Sequence, residues 1–290
     1  MHRFLLHNDQ ILDASSKVLS PGQVGLLSGW GVFSTIKVVS GVLFAWERHW
    51  ARMKRDSARM HIPFPGDPDT VLASLERLIE ANGVRDATMR VAVLRNRGGM
   101  WEGPGITRDY DLIAFTADLK GWGEGVNLAV MPQARHSACP FAGAKILSWA
   151  MNLAWLDEAQ ARGFDEVILL NEHGEISECT SANIFIAEGN RVWTPPLSSG
   201  CLPGVTRELL LSEIHAPDIV VGERTFKPSD LEKADEVMIT STTRDLLPVI
   251  SVEGLQIRRN DRVRLKLQTA FSAFIEGYVA VRTQAVPPRS

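Results

Sequence analysis

The sequence predicts a protein of two domains in which strands and helices are mixed. Segments with apolar residues at helical spacing alternate with short apolar runs bounded by turn residues, which are typical of strands. A stretch with three glycines in six residues, Lys120-Gly-Trp-Gly-Glu-Gly125, separates two regions that each have their own strands and helices. With 290 residues, of which 45% are hydrophobic, the chain can bury a core in each region. The predicted domains are residues 1–119 and 126–290, joined by a loop at residues 120–125.

The amino-terminal region is predicted to form a small β-sheet accompanied by two helices. The strands are expected at residues 3–7, 31–39, 42–45, 88–94 and 111–117, and the helices at residues 47–60 and 70–81. The second helix is expected to end at Asn82-Gly83, because glycine readily adopts the left-handed conformation that ends helices.

The carboxy-terminal region is predicted to contain a longer run of strands. They are expected at residues 126–131, 166–170, 175–178, 183–187, 191–194, 236–240 and around Val249, with helices at residues 147–161, about 206–213 and 262–279. Turn residues at 171–174 and at 188–190 predict two hairpins.

Composition excludes several classes of function. A formal charge of −3, from 31 basic and 34 acidic residues, argues against a nucleic-acid binder, which needs clustered Lys and Arg. No stretch approaches the roughly 20 apolar residues that span a bilayer, so no membrane segment and a cytoplasmic location are expected. The three cysteines are too scattered for a disulfide framework, and no histidines or cysteines have metal-ligand spacing, so we expect no metal.

Three segments place chemically useful residues in small or apolar surroundings. Lys145 lies in Phe141-Ala-Gly-Ala-Lys-Ile-Leu-Ser148, where desolvation would favour the neutral, nucleophilic amine. Glu178 is expected to end a strand and is followed by small polar residues. Leu202-Pro-Gly-Val-Thr-Arg207 leads into a helix whose first amides can face an anion. Taken alone, these features are more typical of a surface lysine, a hairpin-edge glutamate and an ordinary helix cap.

Together, the three segments supply what pyridoxal phosphate requires: an amine for its aldehyde, an acid for its pyridine nitrogen and donors for its phosphate. In this order they resemble the class IV aminotransferases, the fold-type IV group of pyridoxal-phosphate enzymes. The resemblance includes Gly163-Phe-Asp-Glu166 and Gly174-Glu-Ile-Ser-Glu-Cys-Thr-Ser-Ala-Asn-Ile-Phe185. It extends to Ala234-Asp-Glu-Val-Met-Ile-Thr-Ser-Thr-Thr-Arg-Asp-Leu-Leu-Pro-Val249 and to Trp46-Glu-Arg-His-Trp-Ala-Arg52, and so covers nearly the whole chain.

The resemblance implies an α+β protein of the two-domain pyridoxal-phosphate fold type IV. In this fold a small amino-terminal domain and a larger pseudo-barrel carboxy-terminal domain hold the cofactor between them, and the protein is a homodimer. The implied function is transfer of an amino group between an amino acid and a 2-oxo acid, with Lys145 as the catalytic residue that carries the cofactor as a Schiff base. The other implied cofactor-binding residues are Arg52, Glu178, Leu202, Val205, Thr206 and Thr242.

The entering strand departs from the pattern of the family. Many relatives have Val-Phe-Glu where this chain has Val32-Phe-Ser34, which leaves the substrate open. Ala150 replaces a tyrosine common in branched-chain enzymes, and Phe33 replaces one common in D-amino acid enzymes. Thr35 matches a threonine frequent in aminodeoxychorismate lyases, which release pyruvate and 4-aminobenzoate.

Four residues are candidates for substrate contact: Trp30, Phe33, Thr35 and Arg97. If the strand continues past Leu94, Arg95 and Arg97 face the same side and could hold a carboxylate. Arg244 is a further candidate.

Because of the match at Thr35, the lyase remains an alternative to the aminotransferase. A cofactor-binding homologue without turnover is a third possibility, because a family fixes the fold better than the activity.

Overall fold

The structure is a computed structural model that describes residues 1–284 of the chain. The chain divides into two compact units. The first contains Met1–Lys120, Ala144–Trp149 and the chain from Glu276, and the second contains Gly121–Gly143 and Ala150–Ile275. Lys145 thus belongs to the first unit, although it follows the glycine-rich stretch in the sequence. Within residues 1–284, every helix is too short or too polar to cross a membrane.

The first unit is built on a six-stranded sheet with the order β2-β1-β6-β5-β3-β4, in which all neighbours are antiparallel. Its strands are β1 (Phe4–His7), β2 (Gln10–Asp13), β3 (Gly31–Val39), β4 (Val42–Leu43), β5 (Ala87–Arg95) and β6 (Tyr110–Ala117). Its helices are α1 (Val24–Ser28), α2 (Trp46–Arg59) and α3 (Pro68–Asn82). The last of these ends, as predicted, at Gly83, which has a φ of 63°.

The two faces of this sheet differ. One face contributes Val32, Ile36 and Val91 to the core that includes buried residues of α2 and α3. Strand register places the alternate residues on the other face, where Phe33 lies opposite Ala92 and Thr35 lies opposite Arg90. The side chains of β3 that are candidates for a functional site therefore lie on two opposite sides of this strand.

The last helix, α7 (Arg262–Gln284), completes the first unit with its final turns. The Tyr278 hydroxyl donates to Glu47 Oε2 at 2.8 Å, and its ring packs edge-on against Phe44 at 5.2 Å between centroids. Arg282 Nη2 also donates to Glu47, at 2.9 Å. Burial and the Glu47 carboxylate raise the pKa of Tyr278 above its usual value, so its hydroxyl keeps its proton.

The second unit is built on an eight-stranded sheet with the order β12-β11-β10-β13-β14-β7-β8-β9. Its strands are β7 (Val126–Arg135), β8 (Glu166–Asn171), β9 (Ile176–Cys179), β10 (Asn183–Glu188), β11 (Arg191–Thr194), β12 (Val220–Glu223), β13 (Glu236–Ser241) and β14 (Asp245–Val252). Its other helices are α4 (Ala150–Ala161), α5 (Val205–Ser212) and α6 (Pro228–Leu231). The predicted hairpins β8-β9 and β10-β11 are both present.

Most predicted elements are found within a few residues of their expected limits, but four short strands and α-helices were missed. These are β2, β12, α1 and α6, none longer than five residues, so none shows enough of a repeat for its period to be recognised. The helix predicted from residue 147 begins only at Ala150. Residues 145–147 have an extended backbone instead, because they pair with β3.

Candidate active site

The segment that carries Lys145 forms a short extra strand on the edge of β3. Phe33 N donates to Lys145 O at 3.1 Å, and Leu147 N donates to Gly31 O at 2.9 Å. Only glycine suits position 31, because an added Cβ would lie 2.7 Å from Val93 O. Lys145 N donates to Asp56 Oδ2 at 3.0 Å. Asp56 belongs to α2 and its carboxylate is fully buried. The backbone of Lys145 is therefore held on both sides.

The side chain of Lys145 extends over two aromatic rings. Its Nζ lies 4.6 Å from the ring centroid of Phe33 and 5.6 Å from that of Trp149. The two rings pack edge to face at 5.9 Å. Phe33, predicted to contact the substrate, thus forms part of the surface on which the amine lies.

One face of α2 presents three buried polar residues at helical spacing: His49, Arg52 and Asp56. Ser34 of β3 is fully buried against the first two, with its Oγ 2.7 Å from His49 Nδ1 and 2.8 Å from Arg52 Nη2. Burial lowers the pKa of His49 well below its usual value, and the charges of Arg52 and Lys145 lower it further. Ser34 thus links the guanidinium of Arg52 to a neutral histidine in the interior of the first unit.

Arg90 lies on the face of the first sheet that also carries Phe33 and Thr35. It is not among the candidates that the sequence predicts. Its guanidinium stacks 4.3 Å from the ring centroid of Phe33, the ring that also carries the Lys145 amine. Burial lowers the pKa of Arg90 below its usual value, although it remains a cation at neutral pH. The available signal in the sequence was a charged residue within a mostly apolar strand; the structure places Arg90 opposite Thr35.

Two further arginines lie at and just beyond the end of β5. The strand ends at Arg95, so Arg97 does not continue its alternation. Arg97 is half exposed and pairs with Glu102 at 3.2 Å and with Asp109 at 3.7 Å. Arg95 stacks on Trp30 at 4.3 Å, and Trp30 donates its Nε1 hydrogen to Met60 O at 2.8 Å. The substrate roles of Arg97 and Trp30 stay predictions.

In the second unit, Glu178 is nearly buried on β9. Its Oε1 accepts from Arg135 Nε at 3.2 Å, and its Oε2 accepts from Leu202 N at 3.0 Å. Arg135 also lies 3.4 Å from Asn152 Oδ1 and 5.9 Å from the ring centroid of Trp155. Each carboxylate oxygen can accept more than one hydrogen, so Glu178 retains capacity for a further donor. Nothing in the sequence had singled out Arg135, since it is remote from every motif.

Leu202 begins the loop that precedes α5. Asn183 Nδ2 donates to Leu202 O at 2.9 Å, and Gly204 caps the helix without a side chain. A Cβ at position 204 would collide with the Asn183 amide oxygen, so this loop lies tightly against β10. Because Gly204 has no side-chain oxygen to cap the helix, the first amides, those of Val205 and Thr206, can serve an external anion.

Thr242 occupies the turn between β13 and β14, and that turn is fixed by a buried ion pair. Arg244 Nη2 donates to Glu166 Oε2 at 3.1 Å, with side-chain exposures of 6% and 0%. Arg244 also donates to Ser181 O at 3.1 Å and stacks on Trp122 at 3.9 Å. Arg244 is therefore occupied by structural contacts.

Each unit thus brings together a separate set of candidate residues. In the first unit, Lys145 lies over Phe33 on one side of β3, and Arg52 contacts Ser34 on the other side, where Ser34 also contacts His49. In the second unit, Glu178 contacts Leu202 directly.

Comparisons with known proteins agree with the resemblance seen in the sequence. Residues 31–252 match the family described as amino-transferase class IV, and the chain belongs to that family. The D-alanine aminotransferase of Bacillus licheniformis is 27% identical over 257 residues, 87% of this chain and 89% of the relative. The branched-chain-amino-acid aminotransferase of Salmonella typhimurium is 29% identical over 264 residues, 86% of this chain and 85% of the relative.

A solved structure shows the same fold. The branched-chain amino acid aminotransferase from Escherichia coli superposes with a TM-score of 0.86 at 24% identity, over 96% of this chain and 96% of that chain. The predicted fold class, a mixed α and β fold of type IV, is therefore confirmed. The predicted enzyme class is confirmed as well, since the relatives are class IV aminotransferases.

Proposed function

We propose that this enzyme uses pyridoxal phosphate to move an amino group between an amino acid and a 2-oxo acid. The observation that carries the proposal is the placement of Lys145 Nζ over the rings of Phe33 and Trp149. A primary amine held on this apolar surface suits a molecule with an aldehyde. The family match supports the same assignment.

The residues present fit this cofactor. Arg52 is buried with its Nη2 2.8 Å from Ser34 Oγ, and α5 begins without a side-chain cap, so the chain has donors that suit a phosphate. When bound, the cofactor supplies an electron-withdrawing ring that stabilises negative charge at the substrate α-carbon. We propose that Arg52, Thr242 and the amides of Val205 and Thr206 bind its phosphate, and that Leu202 packs on its ring.

Lys145 has two proposed tasks. Its Nζ would hold the cofactor through the aldehyde, and the same amine, when free, would move the proton at the substrate α-carbon. The paired backbone of residues 145–147 limits the movement of Lys145 between these tasks, because its N–H and C=O are both hydrogen-bonded. Positioning of this kind is a large part of what an enzyme contributes to catalysis.

Glu178 is proposed to hold a proton on the pyridine nitrogen. The hydrogen bonds from Arg135 and from Leu202 N fix the orientation of its carboxylate. A fixed carboxylate needs no reorganisation to pair with a ring N–H, so it stabilises the protonated ring more than a mobile one would.

We propose that Arg90 binds a carboxylate of the substrate, because its guanidinium shares the Phe33 ring with the Lys145 amine. Replacing Arg90 with leucine is expected to raise the KM for a 2-oxo acid by about 10- to 100-fold, the value of a lost charged hydrogen bond. Measuring KM for pyruvate and for 2-oxoglutarate shows which carboxylate is bound. If only 2-oxoglutarate is affected, Arg90 serves the distal group.

The variant Arg97→Leu, made in parallel, tests the other arginine candidate. An unchanged KM for both acids in Arg90→Leu, together with a raised KM in Arg97→Leu, would transfer the role to Arg97. Both substitutions remove one positive charge, so any difference between them reflects position.

The activity itself is tested by mixing the purified holoenzyme with single L- and D-amino acids and recording its visible absorbance. We expect either L- or D-amino acids to remove the visible absorbance band of the bound cofactor, and a 2-oxo acid to restore it. This result would establish transamination and identify the amino donor. Release of pyruvate from aminodeoxychorismate without any added oxo acid would make the protein a lyase instead. No response to either would favour a homologue without turnover.

A homodimer and a cytoplasmic location stay predictions. Large apolar side chains of the first unit, among them Leu27, Met100 and Trp101, are exposed by two thirds or more. Exposed apolar groups of this size support an interface with a second copy.

A further inference from the structure

A buried polar chain connects Ser34 of β3 with two residues of α2. Arg52 Nη2 donates to Ser34 Oγ at 2.8 Å, and within residues 1–284 the only acceptor for the Ser34 hydroxyl hydrogen is His49 Nδ1, at 2.7 Å. Ser34 and His49 are both 0% exposed. The serine thus accepts from the guanidinium and donates to the imidazole.

This direction of hydrogen bonding fixes the tautomer of His49. Nδ1 must be the acceptor, so the imidazole hydrogen lies on Nε2, and the lowered pKa keeps the ring neutral. Among residues 1–284, Nε2 has no hydrogen-bond partner. A buried N–H without a partner is costly, so a histidine retained here needs a compensating role.

From this geometry we propose that Ser34 and His49 are positioning residues that orient the guanidinium of Arg52 for a phosphate group. The inference rests on the proposed function, because that function places the cofactor phosphate at Arg52. The neutral serine and histidine hold Arg52 Nη2 without contributing a negative charge. The identity of residue 34 is therefore expected to affect cofactor binding through Arg52.

The test compares two ligands of the apoenzyme: pyridoxal phosphate and pyridoxal, which has the aldehyde but no phosphate. Binding is followed by quenching of tryptophan fluorescence. Ser34→Ala is expected to weaken pyridoxal phosphate binding by about tenfold, as for a charged hydrogen bond partly replaced by water, and to leave pyridoxal binding unchanged. Ser34→Thr keeps the hydroxyl and is expected to restore the affinity. Ser74→Ala, a buried serine of α3 that donates to Thr70 O, is the matched control and should change neither affinity.

The coupling to Arg52 is tested in a double-mutant cycle. In an Arg52→Leu background, Ser34→Ala is expected to have no further effect on pyridoxal phosphate binding, because there is no guanidinium left to orient. An equal loss for both ligands in Ser34→Ala, or a full effect in the Arg52→Leu background, would overturn the inference. If the wild-type apoenzyme binds neither ligand, the proposed function itself fails.

Variants of His49 cover the case in which Ser34→Ala does not fold. His49→Asn keeps an acceptor near the position of Nδ1 and is expected to retain most of the affinity for pyridoxal phosphate. His49→Leu removes the acceptor and is expected to weaken that affinity by about tenfold, again without an effect on pyridoxal. Equal affinities in the two variants would count against a positioning role.

Discussion

Replacing Lys145 with alanine is expected to reduce turnover by at least about 10³-fold, because a positioned general base alone contributes 10²- to 10⁴-fold. The loss should exceed that of the base alone, since the same amine also holds the cofactor. The visible absorbance of the purified enzyme is expected to shift or disappear, whereas circular dichroism should remain that of the folded protein. The residual turnover rate is measured in timed assays with the amino donor found for the wild type.

The matched control is Lys54→Ala, which removes an exposed lysine from α2 and should leave both absorbance and turnover unchanged. A Lys145→Ala variant that keeps the visible absorbance and more than about a tenth of the wild-type turnover rate would contradict the role proposed for Lys145. Adding methylamine provides a second check, because a small free amine can replace part of the missing base. Partial recovery of turnover identifies the lost group as an amine.

Breaking the buried pair between Glu166 and Arg244 is expected to cause the largest loss of stability. Arg244→Met leaves the Glu166 carboxylate, which is 0% exposed, without its counter-ion. Removing one partner of such a pair typically costs about 3–5 kcal/mol of unfolding free energy. At roughly 2–4 °C per kcal/mol for a unit of this size, the midpoint of thermal unfolding should fall by about 6–20 °C. Calorimetry or thermal melts followed by circular dichroism measure the change.

A solvent-exposed pair in the same unit provides the control. Arg224 and Glu188 are 2.7 Å apart, with side-chain exposures of 37% and 35%, so Arg224→Met should cost less than about 1 kcal/mol. The double variant Glu166→Met with Arg244→Met should lose less than the sum of the single variants, because it leaves neither charge unpaired. Similar losses for Arg244→Met and Arg224→Met would show that the buried pair is not a main source of stability.

The sequence predicted most of the fold because its elements have clear periods and turn residues. Strand β3 was located at its observed limits, since a long apolar run is bounded by Gly31 and by the turn at Gly41. The helix expected at residue 147 starts at Ala150, because pairing with β3 overrides the local helical preference of Leu147. That pairing joins residues more than a hundred positions apart and leaves no local signal.

The candidate site was predicted unevenly for the same reason. Lys145 and Arg52 lie in motifs, and the structure places both in the first unit. The departure at Ser34 leaves the substrate open in the sequence, whereas the structure places Ser34 on the helix-covered side of β3, against Arg52. Arg244 was a candidate for substrate binding, but Glu166, 78 residues away, occupies its guanidinium. Local patterns show which residues have reactive groups; distant contacts decide which of those groups are already engaged.

The pairing of residues 145–147 with β3 has a consequence for the order in which the protein can fold during synthesis. After the ribosome has made the six strands of the first sheet, the backbone at Gly31 and Phe33 still lacks partners that lie over a hundred residues ahead. The anchoring of Tyr278 on Glu47 comes later still. Until these partners are made, this edge of β3 is unpaired, and an unpaired strand edge can associate with other chains. The first unit, although most of it emerges early, can therefore be completed only when the second has been translated almost in full.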